Sequence, residues 1–409
     1  MIGQPRPRLA RQRRAAGHTQ EALAYAIGVD RSTVTRWEAG HTDPQPWLRP
    51  RLARALGVSA GQLDELLAPR VRESVRPVAP PTDVGSGDPS NAVLDGLRQA
   101  MVGSSAIDDA GRADNSETLI TEAHRLYQHA DYAAAARLAP IVVMHVEADL
   151  GASPAWRARA AAYVFAAKLA TKLGDAGLAW VAADRALRSA QEAGQPALIG
   201  LAQYQVACAL GRADHAAEAQ RIAAEAAEGL AQQAARASES TPEAHETLSV
   251  QVALRSLLAV MAGRSTDGET ARASLRQAAL HAEQLGDDSN WLWTGAGPTN
   301  VRIHELAALI ALGDTKGALR LGEIIDTDRL PAALRGRRCQ VHLELAEAAA
   351  DQTDDGLSVL HLLAAERVAS QSVSHNAQAV GLVRALLSRE RRGRTPGLRA
   401  LATRAGVVA

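Results

Sequence analysis

From residue 116 to the end of the 409-residue chain, alanine, leucine and valine recur every three to four positions. That spacing places apolar side chains along one face of a helix with 3.6 residues per turn. Five breaks interrupt the pattern and look alike: His129-Ala-Asp131-Tyr, Gly174-Asp175-Ala, Gly211-Arg-Ala-Asp214-His, Gly263-Arg-Ser-Thr-Asp267 and Gly313-Asp314-Thr. Each reads as a helix stop, an acidic or hydroxyl cap, and then a helix of small residues. Small side chains let the two helices of a hairpin approach closely. The chain therefore reads as all-α, most of it a succession of helical hairpins.

A different pattern lies near the N-terminus. Residues 19–38, Thr-Gln-Glu-Ala-Leu-Ala-Tyr-Ala-Ile-Gly-Val-Asp-Arg-Ser-Thr-Val-Thr-Arg-Trp-Glu, read as two short helices with a tight turn at Gly28. Thr19 and Asp30 stand where each helix wants an N-cap oxygen. Leu23 and Ile27 share one face of the first helix, and Val34 and Trp37 share one face of the second. Burying those faces together leaves Arg31, Ser32, Thr35 and Arg36 outward, an arrangement suited to a DNA major groove. Flanking signals complete a five-helix unit over residues 1–70. Residues 7–16 form a helix stopped by Gly17. Pro50 suits the first turn of a fourth helix carrying Leu52, Ala53 and Leu56. Ser59 caps a fifth over residues 60–67, with Leu63, Leu66 and Leu67 inward.

Charge supports this division. Residues 1–76 hold thirteen Arg and no Lys against seven Asp plus Glu, a net of +6, in a chain whose formal net charge is zero. A basic head on a mildly acidic body fits nucleic-acid contact through the head alone. With forty-two Arg and three Lys in the chain, surface arginines such as Arg49, Arg51 and Arg54 say little by themselves. Arg31 and Arg36 say more, because Val34 and Trp37 determine which way they face.

The residues quoted from the head, together with Leu52-Ala53-Arg54-Ala55-Leu56-Gly57-Val58-Ser59, resemble the Cro/repressor-like helix-turn-helix family of bacterial regulators, the xenobiotic-response-element type. The resemblance implies that Gln20, at a helix N-terminus, holds a DNA phosphate. It places Arg31, Ser32, Thr33 and Arg36 at base edges, where an arginine can take guanine O6 and N7 together. It also implies an internal ion pair between Arg13 and Glu38 that ties the first helix to the third and reads no sequence. Pro50 departs from the family pattern at the start of the fourth helix.

Residues 71–115 are rich in Pro, Gly and Ser and read as a linker, within which residues 92–102 hold one short helix with Val93, Leu94, Leu97 and Met101 on a face. The breaks of residues 116–409 resemble the turn and second helix of tetratricopeptide repeats, whose usual period is about 34 residues. Spacings of 37, 52 and 50 between Gly174, Gly211, Gly263 and Gly313 mark the body as divergent. That likeness implies about five to seven hairpins stacked as an α-solenoid, with a concave face for a peptide or small-molecule effector. Trp291, Trp293, Asn300 and Arg302 lie where the segment Trp-Leu-Trp-Thr-Gly-Ala-Gly-Pro interrupts the helical pattern. They form a candidate effector pocket; alternatively the two Trp fill the core where a loop replaces part of a hairpin.

No metal, phosphate-loop or nucleophile motif is present, Cys208 and Cys339 lack metal spacing, and Gly295-Ala-Gly297 lacks the third glycine of a dinucleotide fingerprint. The expected protein is therefore a cytoplasmic, homodimeric, non-enzymatic regulator that binds a double-stranded operator, with no cofactor and no membrane segment. A protein-interaction scaffold whose head no longer binds DNA is the alternative. A retired head would be expected to carry acidic or apolar residues where Arg31 and Arg36 stand.

Overall fold

A computed structural model describes residues 6–40, 42, 44, 48–58, 63, 66–67, 93–103, 116–148, 153–234, 242–390 and 394–407. The chain divides into two units, Met1–Ser86 with Gly381–Arg389, and Gly87–Val380 with Glu390–Ala409. The described residues are mostly helical, without a strand. None of these helices is long and apolar enough to cross a membrane.

The head contains α1 (Pro7–Ala15), α2 (Gln20–Ile27), α3 (Arg31–Glu38) and α4 (Arg49–Leu56). Leu63, Leu66 and Leu67 are helical, but the bounds expected for a fifth helix fall outside the described residues. Leu9, Leu23, Ile27, Val34, Trp37, Leu52, Leu56, Leu63 and Leu67 form one buried core. Thr19 caps α2 by accepting from the Ala22 amide at 3.0 Å, and Gly28 ends it with φ 76°, a left-handed turn that favours glycine. Asp30 differs from expectation. It has the extended backbone of a cap, yet its carboxylate takes no amide, and the Thr33 amide bonds the Asp30 carbonyl at 2.9 Å instead. Pro50 sits in the first turn of α4, where a missing N–H leaves no gap in the helix, so the departure at this position is accommodated.

In the second unit, α5 (Asp95–Val102) packs on α7 (Tyr132–Ala148). Leu94, Leu97 and Met101 are buried, Gly96 lies against Pro140, and Arg98 pairs with Asp175 at 2.5 Å. This short helix is thus a packed part of the body; residues 68–92 and 104–115, on either side, lie outside the described residues.

Twelve of the remaining described helices form six hairpins. They are α6 (Ser116–Gln128) with α7; α8 (Ser153–Leu173) with α9 (Ala176–Ala193); α10 (Pro196–Arg212) with α11 (Ala216–Ala234); α12 (Pro242–Arg264) with α13 (Gly268–Leu285); α14 (Pro298–Ala311) with α15 (Thr315–Gly322); and α16 (Arg335–Asp351) with α17 (Asp355–Val368). Each even-numbered helix also packs on the next even-numbered one, and α16 packs back on α6. The six inner helices therefore close on themselves. Tyr132 meets Ser372 at 3.1 Å, and the Gln371 side chain bonds the Ala133 amide and Asp131, locking the first hairpin to the segment after α17.

Five of these hairpin turns carry an Asp whose side chain caps the second helix: Asp131, Asp175, Asp267, Asp314 and Asp354. Gly211 and Gly263, however, are not the stops. Both lie inside their helices, and the left-handed turn positions are Asp214 and Thr266, with φ 64° and 63°. The two glycines serve close packing between inner helices. A Cβ on Gly263 would stand 3.1 Å from the Ala308 carbonyl oxygen, and one on Gly211 would stand 2.8 Å from Met261 Sδ. Gly263→Val is expected to lower body stability by about 1–3 kcal/mol, because backbone on the facing helix cannot yield. Gly229→Ala, made where space is open, should raise it by about 0.5–1 kcal/mol through helix propensity alone. Thermal melts of both variants check the pair; equal effects would contradict the packing role.

Candidate functional site

The head presents a surface built from α2 and α3. Val34 and Trp37 are buried, and the opposite side of α3 leaves Arg31, Ser32, Thr35 and Arg36 exposed, with Thr33 half-buried. Arg36 lies along its own helix, with Nη2 donating to Thr33 Oγ1 and Nε to the Ser32 carbonyl, both at 3.4 Å. The Arg31 guanidinium has no hydrogen-bond partner among the described residues. These long or absent contacts leave both cations available to an outside acceptor.

Beneath this face lies a polar brace. Arg13 Nε and Nη2 donate to the two Glu38 carboxylate oxygens at 2.7 and 3.3 Å, and Arg13 Nη1 donates to the His18 carbonyl at 2.8 Å. Each side chain of the pair keeps only 10% exposure. A forked guanidinium on a carboxylate fixes orientation as well as distance, so α1 and α3 are held in register. Gln20 Nε2 also donates to Glu38 at 2.7 Å, and Thr35 Oγ1 donates to Gln20 Oε1 at 3.3 Å. Gln20 is therefore a link between the brace and the exposed face, at the N-terminus of α2 where backbone amides favour an anion.

In the body, the four residues singled out around the Trp-Leu-Trp segment do not gather in one place. Trp293 lines a cavity inside the ring of inner helices. Its ring stacks on His124 at 3.9 Å, and its carbonyl accepts from Lys168 Nζ at 3.0 Å and Gln128 Nε2 at 3.2 Å. Trp291 is 37% exposed and stacks on His245; Asn300 is buried in α14; Arg302 faces outward from α14. The backbone here is strained, with Leu292 at φ 48° and Trp293 at φ 55°. Consecutive left-handed non-glycine residues persist only where surrounding bonds hold them.

Sequence reasoning passed over Lys168, Lys172 and Arg337, which line the same cavity. One signal was available. Lys168 and Lys172 are two of only three lysines in an arginine-rich chain, and they stand one turn apart on α8. Arg337 carried no comparable mark.

Residues 7–66 match the family model of a helix-turn-helix domain. The head is thus a helix-turn-helix domain of the kind that binds DNA. No curated protein and no solved structure matches the chain.

Proposed function

We propose that the protein is a sequence-specific DNA-binding transcriptional regulator of the Cro/repressor-like type, with α3 entering the major groove. The observation that carries this reading is the division of α3 itself. Val34 and Trp37 anchor it, while Arg31, Ser32, Thr35 and Arg36 stand on the free side. Gln20 and Thr33 flank that row and complete the proposed DNA-contacting set. One head reads only a few base pairs, so the working unit is a homodimer with heads on half-sites about one helical turn (~34 Å) or a multiple apart. The tetratricopeptide-like body supplies self-association and senses an effector that changes how the heads are presented.

Selection of genomic fragments bound by the purified full chain identifies the operator. On that operator, Arg31→Ala and Arg36→Ala are each expected to weaken binding by about 1–3 kcal/mol, roughly five- to 150-fold. Gel shifts in which both variants bind as tightly as the unaltered protein would overturn the recognition face. Sedimentation as a monomer at micromolar concentration, with and without operator, would overturn the dimer.

A further inference from the structure

Closure of the inner helices leaves among them a partly open cavity of about 160 Å³. That is close to the volume of an engineered protein cavity that admits benzene. Its wall has two unusual properties. Lys168, Lys172 and Arg337 all border it, while no Asp or Glu does. None of these three cations forms an ion pair with a carboxylate among the described residues. The wall also gathers Tyr127, Tyr132, Tyr204 and Trp293, a third of the aromatic side chains in a chain with six Trp, five Tyr and one Phe. Gln205 Nε2 and Thr171 Oγ1, buried on the same wall, have no hydrogen-bond partner among the described residues.

Half-buried cations without a carboxylate partner and idle buried polar groups are unfavourable in an empty protein, since part of their hydration is lost without full replacement. An occupant that supplies a negative charge and a flat ring removes both costs together. We infer that the cavity is a binding site for a small aromatic carboxylate, its carboxylate between Lys168 and Arg337 and its ring against the Tyr and Trp side chains. The inference gives the sensing role proposed above a ligand class, and it rests on that role only for its regulatory consequence.

Protonation adds a signature. Burial, then the field of Arg337, bring the Lys168 ammonium down to about 7. The groups facing it are displaced from that range: His124 on α6 is held well below 6.5 by burial, Tyr127 is pushed up to about 12, and Cys208 on α10 to about 11. Tyr204 on α10 is also raised by burial, as is Tyr132 on α7. Lys172 on α8 and Arg337 on α16 complete the surrounding charges. Glu344, two turns beyond Arg337, accepts from Gln340 Nε2 at 2.7 Å and is raised by burial. A carboxylate seated on Lys168 favours the ammonium form, so binding takes up a proton above pH 7 and weakens by up to about tenfold per pH unit there.

Calorimetry on the full chain, without DNA, tests the site using benzoate, 4-hydroxybenzoate and indole-3-carboxylate, with benzamide, acetate and inorganic phosphate as comparisons. The expected result is one-to-one binding of at least one aromatic carboxylate with Kd below about 1 mM, at least tenfold tighter than benzamide or acetate. Lys168→Met and Arg337→Met should each lose at least tenfold, while Lys316→Ala, on the exposed side of α15, stays unchanged. Circular dichroism confirms that each variant is folded. The inference is overturned if no aromatic carboxylate binds below about 10 mM, if both Met variants bind as well as the parent, or if phosphate alone binds. Gel shifts with the bound carboxylate then separate the two claims: binding without any change in operator affinity leaves the site standing and removes the sensing role.

Discussion

Glu38→Ala is expected to destabilise the head by about 3–5 kcal/mol, more than loss of any exposed arginine would. The reason is the environment of Arg13. Its guanidinium is enclosed and depends on Glu38 for two of its three hydrogen bonds, leaving only the His18 carbonyl once the carboxylate is gone. Removing one partner of a buried pair strands the other charge, whereas replacing both by apolar groups is often close to neutral. Arg13→Met combined with Glu38→Leu should therefore recover most of the stability lost by Glu38→Ala alone. The same substitution releases Gln20, which holds Thr35 on the exposed face of α3, so operator affinity should fall even at temperatures where the head remains folded. Hydrogen exchange of head peptides measures the first effect, and a gel shift at low temperature measures the second. Protection unchanged within about 1 kcal/mol would show that the pair is not structural.

Lys168→Met should act in the opposite direction, raising body stability by roughly 2–4 kcal/mol near neutral pH. Burial and the field of Arg337 disfavour the ammonium, bringing its pKa from 10.5 to about 7 in the folded protein. Above about pH 11.5 the lysine is neutral in both folded and unfolded chains, and the substitution gains little. As pH falls through about 10.5 toward 7 the unfolded chain holds the proton and the folded one does not, so the native protein loses stability. Below 7 both states are charged and the deficit is complete. The gap in Tm between variant and parent is therefore largest at pH 6–7 and narrows toward pH 10. A gap that stays constant across that range would mean that the gain is one of packing. A stabilised variant that no longer binds an aromatic carboxylate would show stability given up for a site.

Much of the head was legible in its sequence because it rests on local rules. Thr19, Gly17 and Gly28 act where their conformational preferences place them, and the 3.6-residue spacing of Leu23, Ile27, Val34 and Trp37 selects the faces that pack. The Arg13–Glu38 pair, twenty-five residues apart, came from a family resemblance; the structure shows it at 2.7 Å. Asp30 shows where local rules run out. A cap residue in the right backbone conformation still leaves its carboxylate rotamer to decide whether a bond forms.

In the body, the hairpin turns were visible as Asp-bearing breaks because capping involves neighbours three residues apart. Whether a glycine ends a helix or lets another helix approach was not visible. Gly211 and Gly263 look like stops in the chain and are contact points in the fold, a distinction set by side chains fifty residues away.

The sequence by itself determined a helix-turn-helix head, an all-helical body and the places where that body turns. Those properties follow from periodicity and short-range hydrogen bonding. Only the tertiary structure decided that α16 returns to α6 and leaves a cavity among the inner helices. Small rotations at each hairpin accumulate along the stack, and no local pattern records their sum. That closure brings Lys168, Arg337 and Trp293, far apart in the chain, to one wall, and it separates Trp293 from Trp291, two positions away.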